Sequence, residues 1–503
     1  MQPLILLLAI ATSLATAHSE VLPRAATTIT IDTSKTYQTI DGFGFSEAFQ
    51  RANLIVNLPA AKQASILDLL FNTTTGAGFS VLRTGVGSSP DSSSDHMNSI
   101  LPKNPGGPDK VTIGGSAYTW DGKDSGQLFV AKKAQSYGVG TFYANAWSAP
   151  GYMKTNNNEN NGGYLCGVSG ETCSSGDWKK AYADYLISYM KFYAQEGINF
   201  THVGFLNEPQ NANPLTTPSA SYAGMLSSGT QAADFIKVLY AELKSANMSN
   251  IAIACCDAEG WNDAKSMTSQ IKSAGAESML GIVTSHTYTS NFNGPISTTA
   301  KVWQTEYSDL NGGWTTACEL PFCFHPTTSF RLCTRYSSGG SGDGQTWASA
   351  VHNGLVNNNL SGYLYWVATQ GGGTNEKLIQ TSATDYTVSK RLWALAQFSR
   401  FIRPDATRIG VSGASSGLST SAFLNSATAP VYAGALVVPA LNTGSAAQSV
   451  TLSLKGFNGS AVTAWVTSQT QAMEALSGAT LGADGTVSGT VPGRSFVTFL
   501  VSK

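Results

Sequence analysis

Two glutamates carry the clearest chemical signal in this sequence. Glu208 lies in GFLNEPQ and Glu306 lies in KVWQTEYSD, and each motif follows a short apolar run. Such runs are typical of buried strands, so both carboxylates are expected at strand ends. One carboxylate can act as a proton donor and the other as a nucleophile or base, which is the pair that glycoside hydrolysis requires. The sequence therefore predicts an enzyme that cleaves sugars.

The elements that would position these residues are read from the alternation of strand-like and helix-like segments. The predicted strands end near Phe45, Val86, Ala146, Leu206, Cys256, His286, Glu306 and Trp366. Amphipathic helices are predicted between them, for example over residues 178–193, with Asp177 as the N-cap, and over residues 230–243. Eight alternating units predict a closed (β/α)8 barrel, whose functional residues gather at the carboxyl ends of the strands.

A change of pattern after Arg403 and Pro404 predicts a second domain. From residue 404 to residue 503 the chain is rich in Ser, Thr, Ala and Gly, and its apolar residues alternate with a period of two. This alternation, with Asn-Gly and Pro-Gly turns, is typical of an antiparallel β-structure. We predict a barrel over residues 38–403 and a β-sandwich over residues 404–503, with one further sandwich strand from residues 27–37.

The composition excludes several classes of partner. The net charge is −1 and only 12% of the residues are charged. Such a chain offers no basic face for nucleic acid and no polybasic segment for anionic membrane lipids. We expect a monomer with no metal, no cofactor and a neutral or weakly charged partner. Aromatic residues make up 10% of the chain, and their flat faces suit the apolar faces of sugar rings.

The first residues predict secretion. Residues 1–17 lack acidic side chains and contain the run LILLLAIA, followed by the small-residue pattern Ala15-Thr16-Ala17. This is typical of a signal peptide, although the usual positive charge at its start is missing, and the run is too short to span a membrane. Glycosylation triplets, which fit a secreted glycoprotein, occur at Asn72, Asn199, Asn247, Asn359 and Asn458.

Six motifs resemble those of one known family. DGFGFSEAF, LRTGVGSSPD, WSAPGYMK, GFLNEPQ, SHTY and WQTEYSD occur in this order. Together they resemble glycoside hydrolase family 30, and most of all its fungal xylanase and glucuronoxylanase branch. The resemblance covers nearly all of residues 29–503. It implies a (β/α)8 barrel with an attached β-sandwich, a retaining mechanism, and a β-linked plant cell-wall polysaccharide such as xylan as the substrate.

The resemblance also implies roles for individual residues. Glu208 in NEP is implied to be the acid/base, and Glu306 in WQTE the nucleophile. Asn207 matches the position that hydrogen-bonds the sugar 2-hydroxyl. Arg83 matches the arginine that lowers the pKa of the nucleophile and keeps it ionised. A purely structural ion pair in the barrel mouth is the alternative for Arg83.

Four further side chains are predicted to line the site, at the ends of the third, sixth and eighth strands. They are Trp147, His286, Tyr288 and Trp366. Tyr288 is expected to donate a hydrogen bond to Glu306, whereas for His286 a core histidine with satisfied hydrogen bonds is nearly as good an interpretation. The two tryptophans are expected to form the floor beneath the cleaved sugar.

Arg51 follows the first predicted strand in SEAFQRAN. Its guanidinium can grip a uronate through a bidentate pair, which would suit glucuronic-acid-decorated xylan. A solvated surface arginine is the alternative. We therefore predict a secreted, retaining hydrolase of the β-1,4-xylosidic bonds in xylan or glucuronoxylan. A β-1,6-galactanase, a β-1,6-glucanase, a glucosylceramidase and a non-catalytic carbohydrate-binding protein are the alternatives.

The seven cysteines predict one disulfide and leave a difficulty. Cys166 and Cys173 lie close together in a Gly-rich loop and are predicted to pair. Cys255 and Cys256 are adjacent. The other three cysteines are Cys318, Cys323 and Cys333. They fall in residues 318–335, where the chain departs from the family pattern with either a loop over the cleft or a retained intron. We favour the intron, because deleting the segment leaves four cysteines.

Overall fold

The computed structural model describes residues 26–91, 96–211, 222–314, 335–413 and 416–503. The signal peptide predicted over residues 1–17, and nearly all of the departing segment 318–335, lie outside the described residues. Among the helices that are described, none is long and apolar enough to cross a membrane.

The elements are numbered in chain order within the described residues. The first strands are β1 (Thr27–Ile40), β2 (Gly42–Ser46), β3 (Val81–Val86), β4 (Thr141–Ala146), β5 (His202–Gly204), β6 (Ala252–Ala258), β7 (Ile282–His286), β8 (Lys301–Glu306), β9 (Asp309–Gly313), β10 (Gly362–Gln370), β11 (Thr374–Asn375), β12 (Lys377–Thr381) and β13 (Tyr386–Val388). The later strands are β14 (Ala406–Ser412), β15 (Leu418–Thr420), β16 (Ala422–Leu424), β17 (Leu436–Asn442), β18 (Gln448–Lys455), β19 (Ala461–Thr467), β20 (Ala472–Ala475), β21 (Thr480–Leu481), β22 (Val487–Val491) and β23 (Ser495–Ser502). The α-helices are α1 (Arg51–Val56), α2 (Ala60–Phe71), α3 (Gln127–Ser136), α4 (Lys179–Gln195), α5 (Gly229–Ser245), α6 (Trp261–Ser273), α7 (Gly344–Asn357) and α8 (Lys390–Ser399).

Eight of the described strands form a closed parallel barrel. Their order is β2, β3, β4, β5, β6, β7, β8 and β10, and β10 pairs with β2 to close the ring. Parallel strands that are covered on both faces read as continuous buried runs, and every residue of GFGFS in β2 is buried. The predicted (β/α)8 barrel is confirmed.

The barrel strands end close to the positions that the sequence predicts. β3, β4, β7 and β8 end at Val86, Ala146, His286 and Glu306. β5 is shorter than expected, because the chain leaves the strand ladder at Gly204 rather than near Leu206. Asn207 and Glu208 therefore lie on the loop that follows β5, at the rim of the barrel.

The helices confirm the predicted segments but correct one cap. The residue at the N-cap position of α4 is Trp178, whose side chain makes no capping hydrogen bond. The predicted cap, Asp177, lies one position earlier, and its Oδ1 accepts a hydrogen bond from the Lys179 N–H at 3.0 Å. α5 begins with a capping box in which Ser228 and Gln231 bond reciprocally to each other's backbone.

The second domain is a β-sandwich built from β14 to β23 together with β1. β1 pairs antiparallel with β14 and parallel with β18. The strand runs to Ile40, beyond the 27–37 segment that the sequence predicts, and leads straight into the barrel. The sandwich interior is apolar and includes Ile31, Leu452 and Val497.

The last barrel helix joins the two domains. In α8, Phe398 packs on Phe496 of β23 with ring centroids 4.9 Å apart. Gln397 donates a hydrogen bond to Thr467 Oγ1 at 2.9 Å and accepts one at its backbone oxygen from Thr498 Oγ1, also at 2.9 Å. These buried apolar and polar contacts fix the sandwich against the back of the barrel.

Two disulfides occur in the described residues. Cys166 pairs with Cys173, with Cα atoms 5.5 Å apart, as the sequence predicts. The second disulfide joins the adjacent residues Cys255 and Cys256 near the end of β6. The remaining three cysteines lie outside the described residues.

Candidate active site

Both predicted glutamates open into one pocket at the carboxyl ends of the barrel strands. The pocket has a volume of about 380 Å³. Five other predicted residues line it, namely Arg51, Trp147, Asn207, Tyr288 and Trp366. It is also lined by Phe49, Asn211, Tyr222, Glu259, Leu310 and Glu376, which the sequence does not single out. A carboxylate oxygen of Glu208 and one of Glu306 lie within 4.8 Å of each other.

Arg83 in β3 lies beneath the pocket and is fully buried. Its Nη1 donates to Glu306 Oε2 at 2.6 Å, and its Nη2 donates to Asn207 Oδ1 and to Asp257 Oδ2, both at 2.7 Å. Burial alone would lower the pKa of the guanidinium, but Asp257 and Glu306 raise it. Arg83 is therefore a permanent positive charge that touches one of the two glutamates directly.

Asp257 in β6 anchors that arginine and is absent from the sequence prediction. Its carboxylate accepts hydrogen bonds from Asn145 Nδ2 at 2.8 Å and Thr305 Oγ1 at 2.7 Å, in addition to Arg83. The Tyr143 hydroxyl also donates to it at 3.2 Å. A fully buried carboxylate is tolerated only when it is paired and hydrogen-bonded in this way. Asp257 thus holds Arg83 in place from below.

Glu306 is surrounded by donors. Besides the Arg83 guanidinium, the Tyr288 hydroxyl donates to Glu306 Oε1 at 3.2 Å, as predicted from the sequence. Burial raises the pKa of Glu306, whereas the Arg83 guanidinium opposes that rise by stabilising the ionised form. Burial also raises the pKa of Tyr288 well above its ordinary value, so the phenol stays neutral and keeps its proton to donate.

Glu208 has a different environment. His286 Nδ1 lies 2.9 Å from its Oε1, and the Tyr222 hydroxyl donates weakly to its Oε2 at 3.4 Å. Burial raises the pKa of Glu208 to about 7, against the opposing charge of Arg83. Burial lowers the pKa of His286, which favours the neutral form of the imidazole beside Glu208. Among the described residues, a permanent cation is in direct contact with Glu306 but not with Glu208, and this distinguishes the two glutamates.

The backbone links the loop that carries Glu208 to the strand that carries Asp257. Glu208 and Asp257 both adopt positive φ angles, 45° and 47°. The Glu208 N–H donates to the Asp257 carbonyl oxygen at 2.8 Å. Left-handed conformations of non-glycine residues are unfavourable and persist where the surroundings enforce them, often at functional sites. The loop after β5 is thereby tied to the end of β6.

Aromatic side chains form one wall of the pocket. The rings of Trp147 and Trp366 lie 5.9 Å apart, and Phe49 packs edge-on against both. The Arg83 guanidinium lies 4.2 Å from the centre of the Trp147 ring, which fixes that ring in position. The predicted tryptophan pair therefore lies beside the two glutamates.

Arg51 occupies the opposite side of the barrel mouth from β6. It begins α1, lines the pocket and donates from Nη1 to the carbonyl oxygen of Phe49 at 2.5 Å. Glu376 lines the same side, where Gln370 and Thr374 donate hydrogen bonds to it. The structure thus places Arg51 at the pocket, as the sequence predicts.

Three side chains offer atoms in a geometry that could surround a cation. Oxygen or nitrogen atoms of Glu208, His286 and Glu306 all lie within 4.8 Å of one another. The Arg83 guanidinium lies 2.6 Å from Glu306 and would repel a second cation. The arrangement therefore suits proton transfer better than metal binding, and the expectation of a metal-free enzyme stays a prediction.

Besides Phe49, Leu310 and Glu376, four residues at the site were missed from the sequence. Asp257 lies near the end of β6, the fifth barrel strand, and Glu259 directly follows that strand in CCDAEG. Asn211 and Tyr222 follow the fourth barrel strand. The rule that located Glu208, an acid just after an apolar run, applies equally to Asp257 and Glu259. Asn211 and Tyr222 lie farther along a loop, where no strand pattern marks them.

Comparison with known families identifies the class of enzyme. Residues 26–296 match the family described as O-glycosyl hydrolase family 30, and residues 405–499 match the glycosyl hydrolase family 30 β-sandwich domain. The chain belongs to glycoside hydrolase family 30. The resemblance seen in the sequence motifs is confirmed, and the protein is a glycoside hydrolase rather than a non-catalytic binding protein.

Individual relatives have several activities. The catalytic domain of the GH30 xylanase C from Talaromyces cellulolyticus is 44% identical, spans 95% of this chain and 100% of its own, and superposes with a TM-score of 0.82. An endo-1,6-beta-D-glucanase from Trichoderma harzianum is 26% identical over 78% of this chain and 77% of its own length. A glucuronoxylanase from Bacillus subtilis is 22% identical over 75% of this chain and 77% of its own length.

Proposed function

We propose that the protein is a secreted, retaining endo-β-1,4-xylanase that acts by double displacement. The observation that carries the mechanism is the distance between the carboxylates of Glu208 and Glu306, of which one oxygen each lies within 4.8 Å. Retaining glycosidases hold their carboxyl groups about 5–5.5 Å apart, whereas inverting enzymes need a wider gap for a water molecule. The short distance supports direct attack on the sugar.

In the first step Glu306 is the nucleophile and Glu208 the acid. Glu306 attacks the anomeric carbon while Glu208 protonates the departing glycosidic oxygen, which leaves a glycosyl ester on Glu306. Asn207 turns its carbonyl oxygen to Arg83 Nη2, at 2.7 Å, so its amide nitrogen is the end that can donate to the sugar 2-hydroxyl. This contact would strengthen in the transition state.

The protonation states required for this step follow from the surroundings. The Arg83 guanidinium and the Tyr288 hydroxyl both stabilise the ionised carboxylate of Glu306, against the burial that raises its pKa. Glu208 is protonated in mildly acidic solution because burial raises its pKa to about 7. Two carboxyl groups of the same kind thereby take opposite roles.

In the second step the roles of the acids change. Glu208, now ionised, removes a proton from water, whose oxygen attacks the anomeric carbon and displaces Glu306. His286, whose Nδ1 lies 2.9 Å from Glu208 Oε1, holds that carboxyl group in position during both proton transfers. The two inversions together give net retention of configuration.

Xylan as the substrate is supported by the relatives and by the pocket. The Talaromyces xylanase domain matches 95% of this chain at 44% identity. Trp147 and Trp366 offer flat apolar faces beside the catalytic pair, which suits the apolar faces of pyranose rings. We further propose that Arg51, which lines the pocket, binds a uronate branch of glucuronoxylan.

A second candidate is hydrolysis of β-1,6-glucan. The observation in its favour is the endo-1,6-beta-D-glucanase of Trichoderma harzianum, which is 26% identical over 78% of this chain. The same catalytic pair can serve both linkages, because the acids act on the scissile bond alone. The loops around the pocket therefore decide between the two substrates.

A direct comparison of polysaccharides tests the proposal. Purified protein is incubated separately with glucuronoxylan, arabinoxylan, galactan and β-1,6-glucan, and the products are analysed by mass spectrometry. We expect xylo-oligosaccharides from the two xylans, and proton NMR of the first products should show the β-anomer. Release of oligosaccharides from β-1,6-glucan alone would reject the xylanase proposal, and initial α-anomers would reject retention.

Secretion is supported by two features of the chain. The Cys166–Cys173 disulfide is of the kind that persists in oxidising compartments. Residues 1–17 have the pattern of a signal peptide. Expression in a secreting fungal host should give extracellular protein whose first residue follows Ala17, as read by N-terminal sequencing. Retention of the intact leader inside the cell would contradict this.

A further inference from the structure

The two ends of the pocket carry different residues. Arg51 follows β2, the first strand of the barrel, and Glu259 follows β6, the fifth. In a closed ring of eight strands the first and fifth lie opposite each other. The catalytic pair lies between these ends, so a bound chain of sugars would run from the Arg51 side to the Glu259 side.

The Glu259 end is the one that adjoins the acid/base. Tyr222, which lines this end, donates to Glu208 Oε2, and Asn211 Nδ2 donates to the Tyr222 hydroxyl at 3.0 Å. The acid/base has to touch the glycosidic oxygen that leaves. The sugar attached to that oxygen must therefore lie beside Glu208, on the side lined by Tyr222 and Glu259.

Glu259 is held in place by its backbone while its carboxylate faces the pocket. Its N–H donates to Gln210 Oε1 at 3.2 Å, and its carbonyl oxygen accepts from the Tyr288 N–H at 3.0 Å. Within the described part of the chain its carboxylate has neither a hydrogen-bond donor nor an ion-pair partner. The charges that act on its pKa are those of the Glu208 and Asp263 carboxylates, and both raise it.

A half-buried carboxyl group without a partner is unfavourable. Burial raises the pKa of Glu259 to about 7, and the neighbouring charges of Glu208 and Asp263 add to the rise. A buried polar group that lacks hydrogen bonds destabilises the folded protein and is retained when a ligand supplies the missing bonds. A sugar in the adjoining space would present hydroxyl groups that can do so.

We propose that Glu259 binds the hydroxyl groups of the sugar on the leaving-group side of the scissile bond. The same contact would hold an acceptor sugar when the glycosyl enzyme is resolved by transfer instead of hydrolysis. In that step the acceptor hydroxyl oxygen bonds to the anomeric carbon, the ester bond to Glu306 breaks, and the hydroxyl proton passes to Glu208. This inference rests on the retaining mechanism proposed above.

The experiment measures how the glycosyl enzyme partitions between hydrolysis by water and transfer to an acceptor sugar. 4-Nitrophenyl β-xylobioside serves as the donor and xylobiose as the acceptor, and transfer and hydrolysis products are quantified together. In Glu259→Ala we expect the transfer-to-hydrolysis ratio to fall about tenfold, the effect of losing one or two hydrogen bonds. We expect kcat/KM for xylotetraose, whose leaving group is a sugar, to fall by a similar factor.

The rate of nitrophenolate release without acceptor distinguishes sugar binding by Glu259 from an effect of Glu259 on the acid Glu208. In Glu259→Ala this rate should change less than about twofold, because the nitrophenolate leaving group makes no sugar contact with residue 259. Glu259→Gln should restore part of the transfer ratio, since an amide also bonds hydroxyl groups. Glu474→Gln, which changes an exposed glutamate of the sandwich, should leave the ratio unchanged.

Two outcomes would overturn the inference. An unchanged transfer ratio in Glu259→Ala would show that no acceptor contact exists. Equal losses of nitrophenolate release and of transfer would show that Glu259 acts through Glu208. If the unaltered enzyme released no nitrophenolate from the xylobioside, the xylanase proposal itself would have failed. The same ratio would then be measured with the nitrophenyl glycoside and acceptor that the enzyme does use.

Discussion

The barrel mouth and the sandwich core bury different kinds of side chain. The sandwich is filled with aliphatic and aromatic side chains such as Leu452 and Val497. The barrel mouth buries Arg83, Asp257 and Glu306 in contact with one another. Apolar burial stabilises a fold, whereas buried ion pairs seldom repay the loss of their hydration. The buried charges of the barrel mouth are thus explained by their role in catalysis rather than by a contribution to stability. Substitutions in the mouth should therefore lower activity, whereas substitutions in the sandwich core should lower stability.

The largest loss of activity is expected for Glu306→Gln. The amide cannot form the glycosyl ester, so kcat for xylan and for aryl xylosides should fall by at least about 10⁴-fold. Initial rates of reducing-sugar and nitrophenolate release measure this. Glu474→Gln, an exposed glutamate of the sandwich, is the matched control and should keep full activity. Near-normal activity of Glu306→Gln on any β-xyloside would show that the nucleophile is another residue.

The next largest loss is expected for Glu208→Gln. Without the proton donor, kcat for xylan should fall by about 10²–10⁴-fold. Aryl xylosides with good leaving groups should still form the glycosyl enzyme, and added azide should then restore turnover by displacing Glu306. The xylosyl azide product is identified by mass spectrometry. Absence of any azide effect, with equal losses on both substrates, would contradict an acid/base role for Glu208.

Arg51→Ala should affect decorated substrates alone. Losing a bidentate contact to a uronate should raise the activation free energy for glucuronoxylan by about 2–4 kcal/mol. Linear xylo-oligosaccharides, which carry no carboxylate, should be cleaved as before, and Arg51→Lys should recover little. Values of kcat/KM are compared at low and high salt, since a sheltered pair is screened less. Equal losses on both substrates would mean that Arg51 supports the barrel mouth.

A smaller, graded effect is expected from pH. The active form needs Glu208 protonated and Glu306 ionised. As the pH rises through about 7, Glu208 loses its proton and kcat/KM should fall. As the pH falls, Glu306 becomes protonated, and this acid limb should lie above the ordinary glutamate pKa because burial raises the pKa of Glu306. A flat profile from mildly acidic to alkaline solution would contradict the two-carboxylate scheme.

The smallest effect on catalysis is expected in the sandwich. Leu452 is fully buried in its core, so Leu452→Ala should lower the free energy of unfolding by about 2–5 kcal/mol. Calorimetry should show a lower melting temperature, while kcat/KM at 25 °C stays unchanged. A large loss of kcat/KM in the folded variant would show that the two domains are coupled more closely than this comparison assumes.

The sequence predicted many of the site residues that lie on barrel strands or shortly after them. Glu306 and Arg83 are positioned by β8 and β3, and apolar runs mark such strands from local residues alone. Trp147 was found in the same way, at the end of β4. The barrel followed from the same runs, because eight parallel strands with helices between them have few ways to close.

The rest depended on contacts between distant segments. Asp257 is recognisable as essential to the site only when Asn145, Thr305 and Arg83 are seen around it, and these come from three other strands. Glu259 becomes notable only because its carboxylate has no hydrogen-bond donor or ion-pair partner among the residues that the structure describes. The cap of α4 was misplaced by one residue, since an aspartate just before a helix can bond several of the first N–H groups.

The pairing of β1 has a consequence for the order of assembly during synthesis. Asp32 in β1 forms an ion pair with Lys455, which lies 423 residues away in the sequence. The ribosome releases the first strand long before β14 and β18 exist. Contacts of such long sequence separation form late, and unpaired strand edges invite aggregation meanwhile. Both edges of β1 therefore stay unpaired beside the nascent barrel until the last domain has emerged.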